Sequence, residues 1–180
     1  MNSELFNSMF ISNENTWRRL TTVMVTDDDL GCLLRIHLIT ENMLEAWCCA
    51  ASYNPYFFKD FGANLTMPYI AKLKLASNFG LNSFSYNELK EINKIRNAHS
   101  HQIDNYAISD LEISTLMKLI RKGGQNELVD SPGCGIWVDE KTILLNDQTI
   151  TNRQKLVAIL GLIIFRVSSQ ANGIYSPITL

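Results

Sequence analysis

Residues 26–48, TDDDLGCLLRIHLITENMLEAWC, decide how the chain folds. Asp27, Asp28 and Asp29 stand where the positive end of a helix dipole favours negative charge. Behind them Leu30, Leu33, Leu34, Leu38, Leu44 and Cys48 recur at the helical period, and Ile36, Ile39, Met43 and Trp47 line a second apolar face. A helix apolar on two sides belongs at the centre of a domain or under a partner. The reading is a long helix that opens at Thr26 or Asp27 and is closed by Asn54-Pro55.

The flanking segments read as helical too. Phe6, Phe10, Trp17, Leu20 and Val23 give one or two helices between Ser3 and Val25. After Asn54-Pro55 comes an irregular aromatic segment with Tyr56, Phe57, Phe58 and Phe61. Together with Tyr53, these rings either plug one end of a bundle or stack on nucleic-acid bases. Pro68 suits a first helical turn and Gly80 a stop. Ser85-Tyr86-Asn87-Glu88 and Ser109-Asp110-Leu111-Glu112 both spell a capping box, in which serine and glutamate satisfy free amides reciprocally. The first should open a helix that buries Leu89, Ile92 and Ile95. The second should open one that buries Leu116, Met117 and Ile120 and closes at Gly123-Gly124. Ile136-Trp137-Val138 and Thr142-Ile143-Leu144-Leu145 flank Asp139-Glu140-Lys141 as the arms of a short β-hairpin would. A last helix is expected from Thr151 to Ser169, before a loose Tyr175-Ser176-Pro177 tail. No repeat, low-complexity tract or long linker divides the chain. The expected architecture is all-α, one helical domain over residues 1–180 with a small hairpin within 133–146.

Composition narrows the function. Hydrophobic residues make up 46% and charged residues 19%, a balance able to bury a real core. A net charge of −2 gives no overall basic field, so any contact with nucleic acid needs a local basic patch. Cys32, Cys48, Cys49 and Cys134 form no CxxC pair and no zinc spacing, and Cys32 and Cys48 fall in an apolar helical pattern as buried free thiols would. The start has no basic segment followed by an apolar one, so no signal peptide is expected. The most apolar run, Leu156–Phe165, has about half of the roughly 20 residues a bilayer span needs and reads as a buried helix. No membrane association and a reduced cytoplasm are the expectation.

No Gly-rich phosphate loop, GxSxG elbow, HExxH or EF-hand loop is present. His99 and His101 fall together in Lys94-Ile95-Arg96-Asn97-Ala98-His99-Ser100-His101-Gln102, at the end of the Ser85 helix. Lys90, Lys94 and Arg96 make this the most basic segment, joined by Lys72 and Lys74 on the preceding helix. Three readings compete. Basic residues and histidine suit the negative end of a helix dipole. A metal could sit on His99 and His101, with only Asp104 near as a further ligand. Or the window is a phosphodiester site, where histidine moves protons, a guanidinium stabilises anionic phosphorus and Asn97 positions either. His37, Glu41 and Glu45, four apart, share one helical face. Either Glu41 reaches the window as a partner for Arg96, or the stripe is solvated or faces a second copy.

Arg96-Asn97-Ala98-His99-Ser100-His101 resembles the Arg-x4–6-His signature of the HEPN superfamily, in the form with asparagine after the arginine. Around it, Ile70–Ala76, Phe79-Gly80-Leu81, Tyr86–Ile95 and Tyr106–Ile113 resemble the mannitol-operon-repressor-like branch, and His37–Ala46 its long central helix. The resemblance covers about residues 27–120. It implies an antiparallel helical bundle that pairs as a homodimer, with two Arg…His motifs facing one cleft. It implies a metal-independent endoribonuclease of toxin or defence type with no cofactor, in which His101 is the acid–base residue, Arg96 the phosphate-stabilising cation and Asn97 the residue that orients them. Glu41 and His99 would support the site, and Lys72, Lys74, Lys90 and Lys94 would hold RNA. The branch equally implies a non-catalytic transcriptional regulator acting through a protein partner, just as the toxin reading implies an antitoxin.

Overall fold

Asp28 does what its charge suggests: its side chain accepts the amide of Gly31 and caps the central helix, α3 (Asp29–Ala51), with Asp29 in the first turn. In the computed structural model, described here for residues 1–59, 67–99, 107–124, 135–138, 141–144, 147 and 149–174, the other helices gather round α3. They are α1 (Ser3–Phe6), α2 (Glu14–Met24), α4 (Tyr69–Asn78), α5 (Ser83–His99), α6 (Asp110–Lys122) and α7 (Asn152–Ala171), with one π-helical turn (Asn7–Ile11) between α1 and α2. Strands β1 (Gly135–Val138) and β2 (Lys141–Leu144) pair antiparallel, Gly135 opposite Leu144 and Val138 opposite Lys141. The all-α bundle with a small hairpin is therefore what forms.

Helix α3 packs on α1, α2, α4, α5 and α7, which explains its two apolar faces. It buries Cys32, Leu33, Ile36, Ile39, Met43, Leu44 and Trp47 in one core with Phe6, Phe10, Leu73, Leu89, Ile92, Leu116, Ile120, Ile159 and Ile163. Each fully buried side chain of this kind is worth roughly 1.5–3 kcal/mol. Leu38, counted with the apolar face, is instead 55% exposed. Burial pushes the Cys32 and Cys48 thiols up to about 12, so both are inert free thiols. Helices α3, α4 and α7 end alike, in a left-handed residue whose amide, with the next, closes the last turn. Gly80 (φ 89°) serves α4 without strain, whereas after α3 that place falls to Tyr53 (φ 55°).

Helix starts were half legible. The Ser109/Glu112 capping box forms as read, and α7 opens with a second, Thr151/Gln154. The Ser85/Glu88 box does not form. Helix α5 starts at Ser83, Asn82 Oδ1 accepts the Ser85 amide at 2.8 Å, and Ser85 lies buried inside the helix. Glu88 is spent elsewhere. Its Oε1 accepts Nη1 of Arg166, both side chains fully buried, and Arg166 Nη2 donates to the Ile120 carbonyl at 3.0 Å. One guanidinium thus joins α5, α6 and α7. Burial pushes the Glu88 carboxyl up to about 7, against the opposing pull of Arg166. Gly123, at the end of α6, leaves the room: a Cβ there would overlap the guanidinium.

Helix α7 alone among the described helices has the length and composition of a bilayer span. Half of that window is buried against the other helices, and Arg166 lies within it, so here it serves as a core helix. Phe61, His101, Asp104, Tyr106, Cys134 and the tail from Tyr175 lie outside the described residues.

We expect Arg166→Ala to lower unfolding stability by about 3–5 kcal/mol, because Glu88 is left buried without a counter-charge. Glu88→Leu with Arg166→Met should recover most of that loss in urea titrations. If Arg166→Ala unfolds at the wild-type midpoint, the pair does not hold the bundle.

Candidate functional site

The basic window lies where α5 runs out beside the start of α6. Three of the four residues 96–99 are polar, and each has a defined place. Arg96 is half-buried; its Nη1 donates to Asn97 Oδ1 at 3.0 Å. Its Nε is buried with no hydrogen-bond partner among the described residues, and no carboxylate among them forms an ion pair with it. Asn97 is exposed. The guanidinium is therefore pinned at one corner with donors still to satisfy, which is how an anion site is built from arginine.

His99, expected at the helix end, is a strut between helices. Its Nε2 lies 2.6 Å from Glu112 Oε1, and Glu112 Oε2 accepts the Ser109 amide and hydroxyl, each at 2.8 Å. A single carboxylate completes the α6 cap and ties down the end of α5. Burial raises the Glu112 carboxyl, but the Ser109 amide and His99 more than offset it and hold it below its usual value.

The stripe His37, Glu41, Glu45 meets α4 and α5, although Glu41 and Glu45 keep part of their side chains exposed. Glu41 and Glu45 both take Lys72 Nζ, at 2.7 and 2.5 Å, and Lys72 is only 8% exposed. This alters two expectations. Lys72 is not a surface cation waiting for RNA, and Glu41 pairs with Lys72 and not with Arg96. A single lysine on α4 offsets the mutual repulsion of the i,i+4 carboxylate pair on α3, leaving the three groups with one net negative charge. Lys74 and Lys90 remain exposed, and Lys94, 73% exposed, meets only Glu91 at 2.9 Å. The aromatic segment divides. Phe57 and Phe58 pack on the core and on each other at 5.0 Å between ring centres, Phe57 also meeting Phe79 at 6.0 Å. Tyr53 and Tyr56 stay exposed.

His37 sits close to the window from the other side. Its ring lies 4.3 Å from that of Tyr69, and its Nε2 lies 3.1 Å from Asn93 Oδ1, one turn before Arg96 on α5. The Tyr69 hydroxyl donates to Thr40 Oγ1 at 3.1 Å. Burial lowers the imidazole's proton affinity, the Asn93 bond works against that, and the nearby Arg96 charge adds to it. Asn93 and Tyr69 enclose His37, with Thr40 accepting from Tyr69, a polar cluster that reading the chain did not find. The available signal was the three-residue spacing of Asn93 and Arg96. Among the described residues no grouping of three or more His, Cys, Asp or Glu side chains could hold a metal ion.

The His37 shift carries a sign. A base whose folded value lies below its ordinary 6.5 binds fewer protons folded than unfolded, so stability falls as pH drops below about 6.5. We expect the urea midpoint of the wild type to decline from pH 7 to pH 5 more steeply than that of His37→Gln. Parallel declines would mean that the imidazole is not held neutral. Family models, curated proteins and solved structures alike yield no match to the chain, and its function is read from its own residues.

Proposed function

We propose that this chain is a metal-independent endoribonuclease of the HEPN type, acting as a homodimer with Arg96 and His101 at its centre. The observation that carries the reading is the half-buried Arg96 guanidinium, oriented by Asn97, with a buried donor unsatisfied and no carboxylate neutralising it among the described residues. Arg166, the structural arginine, also leaves its Nε unbonded but is ion-paired with Glu88; Arg96 has no such pair among the described residues, which leaves its charge to meet an anion. Lys74, Lys90 and Lys94 are exposed on α4 and α5, but Lys94 lies about 200° round α5 from Arg96 and meets Glu91, so the reading rests on Arg96 itself. His101 supplies the acid–base group on the strength of its place in the Arg-x4-His resemblance.

The chemistry follows from those groups. A neutral imidazole of His101 takes the proton of an RNA 2′-hydroxyl, and that oxygen attacks the adjacent phosphorus. The bond from phosphorus to the 5′-oxygen breaks, the leaving oxygen takes up a proton, and a 2′,3′-cyclic phosphate remains. Arg96 faces the charge that builds on the non-bridging oxygens. His99, engaged with Glu112, keeps the helix end in place and takes no part in proton transfer.

The second reading, a non-catalytic regulator working through a protein partner, is favoured by the large apolar side chains left on the surface. Trp17 is 58% exposed, Leu111 75% and Phe165 58%. The two readings part on one variant. With EDTA present, the wild type should cut mixed tRNA and messenger RNA to ends bearing cyclic phosphate. His101→Ala should lose about 10²–10⁴-fold of that rate, the usual worth of a positioned acid–base group, while staying folded. No cleavage by a folded wild type would move the assignment to the regulator.

A further inference from the structure

On the side of α3 away from the Arg96 window, α2 and α3 leave a surface groove of about 260 Å³ lined by Arg18, Arg19 and Thr22 from α2 and Arg35 and Leu38 from α3. Arg35 follows from its spacing to His37: two residues along a helix turn about 200°, so a helix that points His37 at α5 points Arg35 nearly opposite. The three guanidiniums are exposed. Among the described residues none forms an ion pair, and the one hydrogen bond any of them donates is from Arg18 Nη2 to Asn15 Oδ1 at 3.1 Å. Glu45, which lines a neighbouring pocket with Arg19, already accepts from Lys72. The chain carries a net charge of −2, yet three of the five residues lining this groove are cationic. Like charges held together without a counter-charge repel, so an anion bound between them relieves a cost that the free protein carries.

We propose that this groove is an exosite for the phosphodiester backbone of RNA. Guanidinium forks match phosphate oxygens two by two. The cations come from two helices, whose axes when packed lie roughly 8–10 Å apart, so they meet successive charges along a strand and not a single group. A free nucleotide would need an enclosed site burying most of its surface; this groove is open. None of its five lining residues is a buried polar group able to read a base edge, so it contacts the backbone irrespective of sequence, with Leu38 supplying apolar floor. RNA as ligand rests on the ribonuclease reading of the Arg96 window, but the groove contributes holding and not chemistry.

The test is fluorescence anisotropy of a labelled, unstructured single-stranded RNA across a salt series, with the full chain. It compares His101→Ala, used to prevent cutting, with the same chain also carrying Arg18→Ala, Arg19→Ala and Arg35→Ala. The groove variant should bind at least about tenfold more weakly at low salt. Its plot of log affinity against log salt should be shallower by about 2, from roughly 0.7 for each of three lost phosphate contacts. Arg→Lys at the same three positions should keep most of the slope. Unchanged affinity and slope in the alanine variant, or no RNA binding at all, overturns the exosite. So does equally tight binding of adenosine monophosphate, which would make this a nucleotide pocket. Binding that depends on the groove, in a protein whose wild type never yields cyclic phosphate, would uphold the exosite while removing the nuclease. Cleavage by a wild type whose RNA affinity ignores the three arginines would do the reverse.

Discussion

One buried guanidinium sets the geometry of everything else. Arg166 reaches from α7 to Glu88 on α5 and to the last turn of α6 through the Ile120 carbonyl. A charge taken out of water is tolerable only with its partner in place, so the rotation of α5 about its axis is not free. Glu88 and Arg96 are eight residues apart, just over two turns and about 80° round the helix. With Glu88 turned toward α7, Leu89, Ile92 and Ile95 enter the core, and Asn93 and Arg96 come round toward His37 on α3. The candidate site is thus positioned by an interaction that never touches it.

The second organising feature is the polar side of α3. His37, Thr40, Glu41 and Glu45 would be costly to bury singly, and each has found a specific partner on α4 or α5: Asn93, Tyr69 and Lys72. Arg96 stands at the edge of this satisfied region, and the contrast gives it meaning. Where its neighbours have closed their hydrogen bonds, its Nε has not. Buried polar regions with one member left open are where proteins place function and not stability.

What the chain revealed before its fold was known follows a physical line. Period and capping are local, so α3, α4, α6, the hairpin and α7 could be located from Asp27–Asp29, Pro68, Gly80, Ser109 and Glu112, each within a few residues. Long-range pairing is not local. Ser85 and Glu88 have the letters of a capping box, yet nothing within four residues tells a glutamate that will accept its own helix's amide from one awaiting an arginine 78 residues on. Lys72 misled for the same reason: its charge suggests surface, and only the docking of α4 on α3 reveals Glu41 and Glu45 opposite it. The Arg18–Arg19–Arg35 groove went unnoticed because Arg35 lies sixteen residues beyond Arg19 and joins that pair only when α2 lies along α3. The Arg96 window was legible because its residues are consecutive, whereas Asn93, Tyr69 and Thr40 come from three helices.

The order in which a ribosome delivers this chain gives the Arg166 pair a further consequence. Glu88 is made long before α7, so until α7 arrives its carboxyl has no Arg166 to pair with. The helix that supplies Arg166 has the length and composition of a bilayer span. The arginine within it acts as an address: it makes a lipid interior costly for α7 and the waiting glutamate its favoured destination.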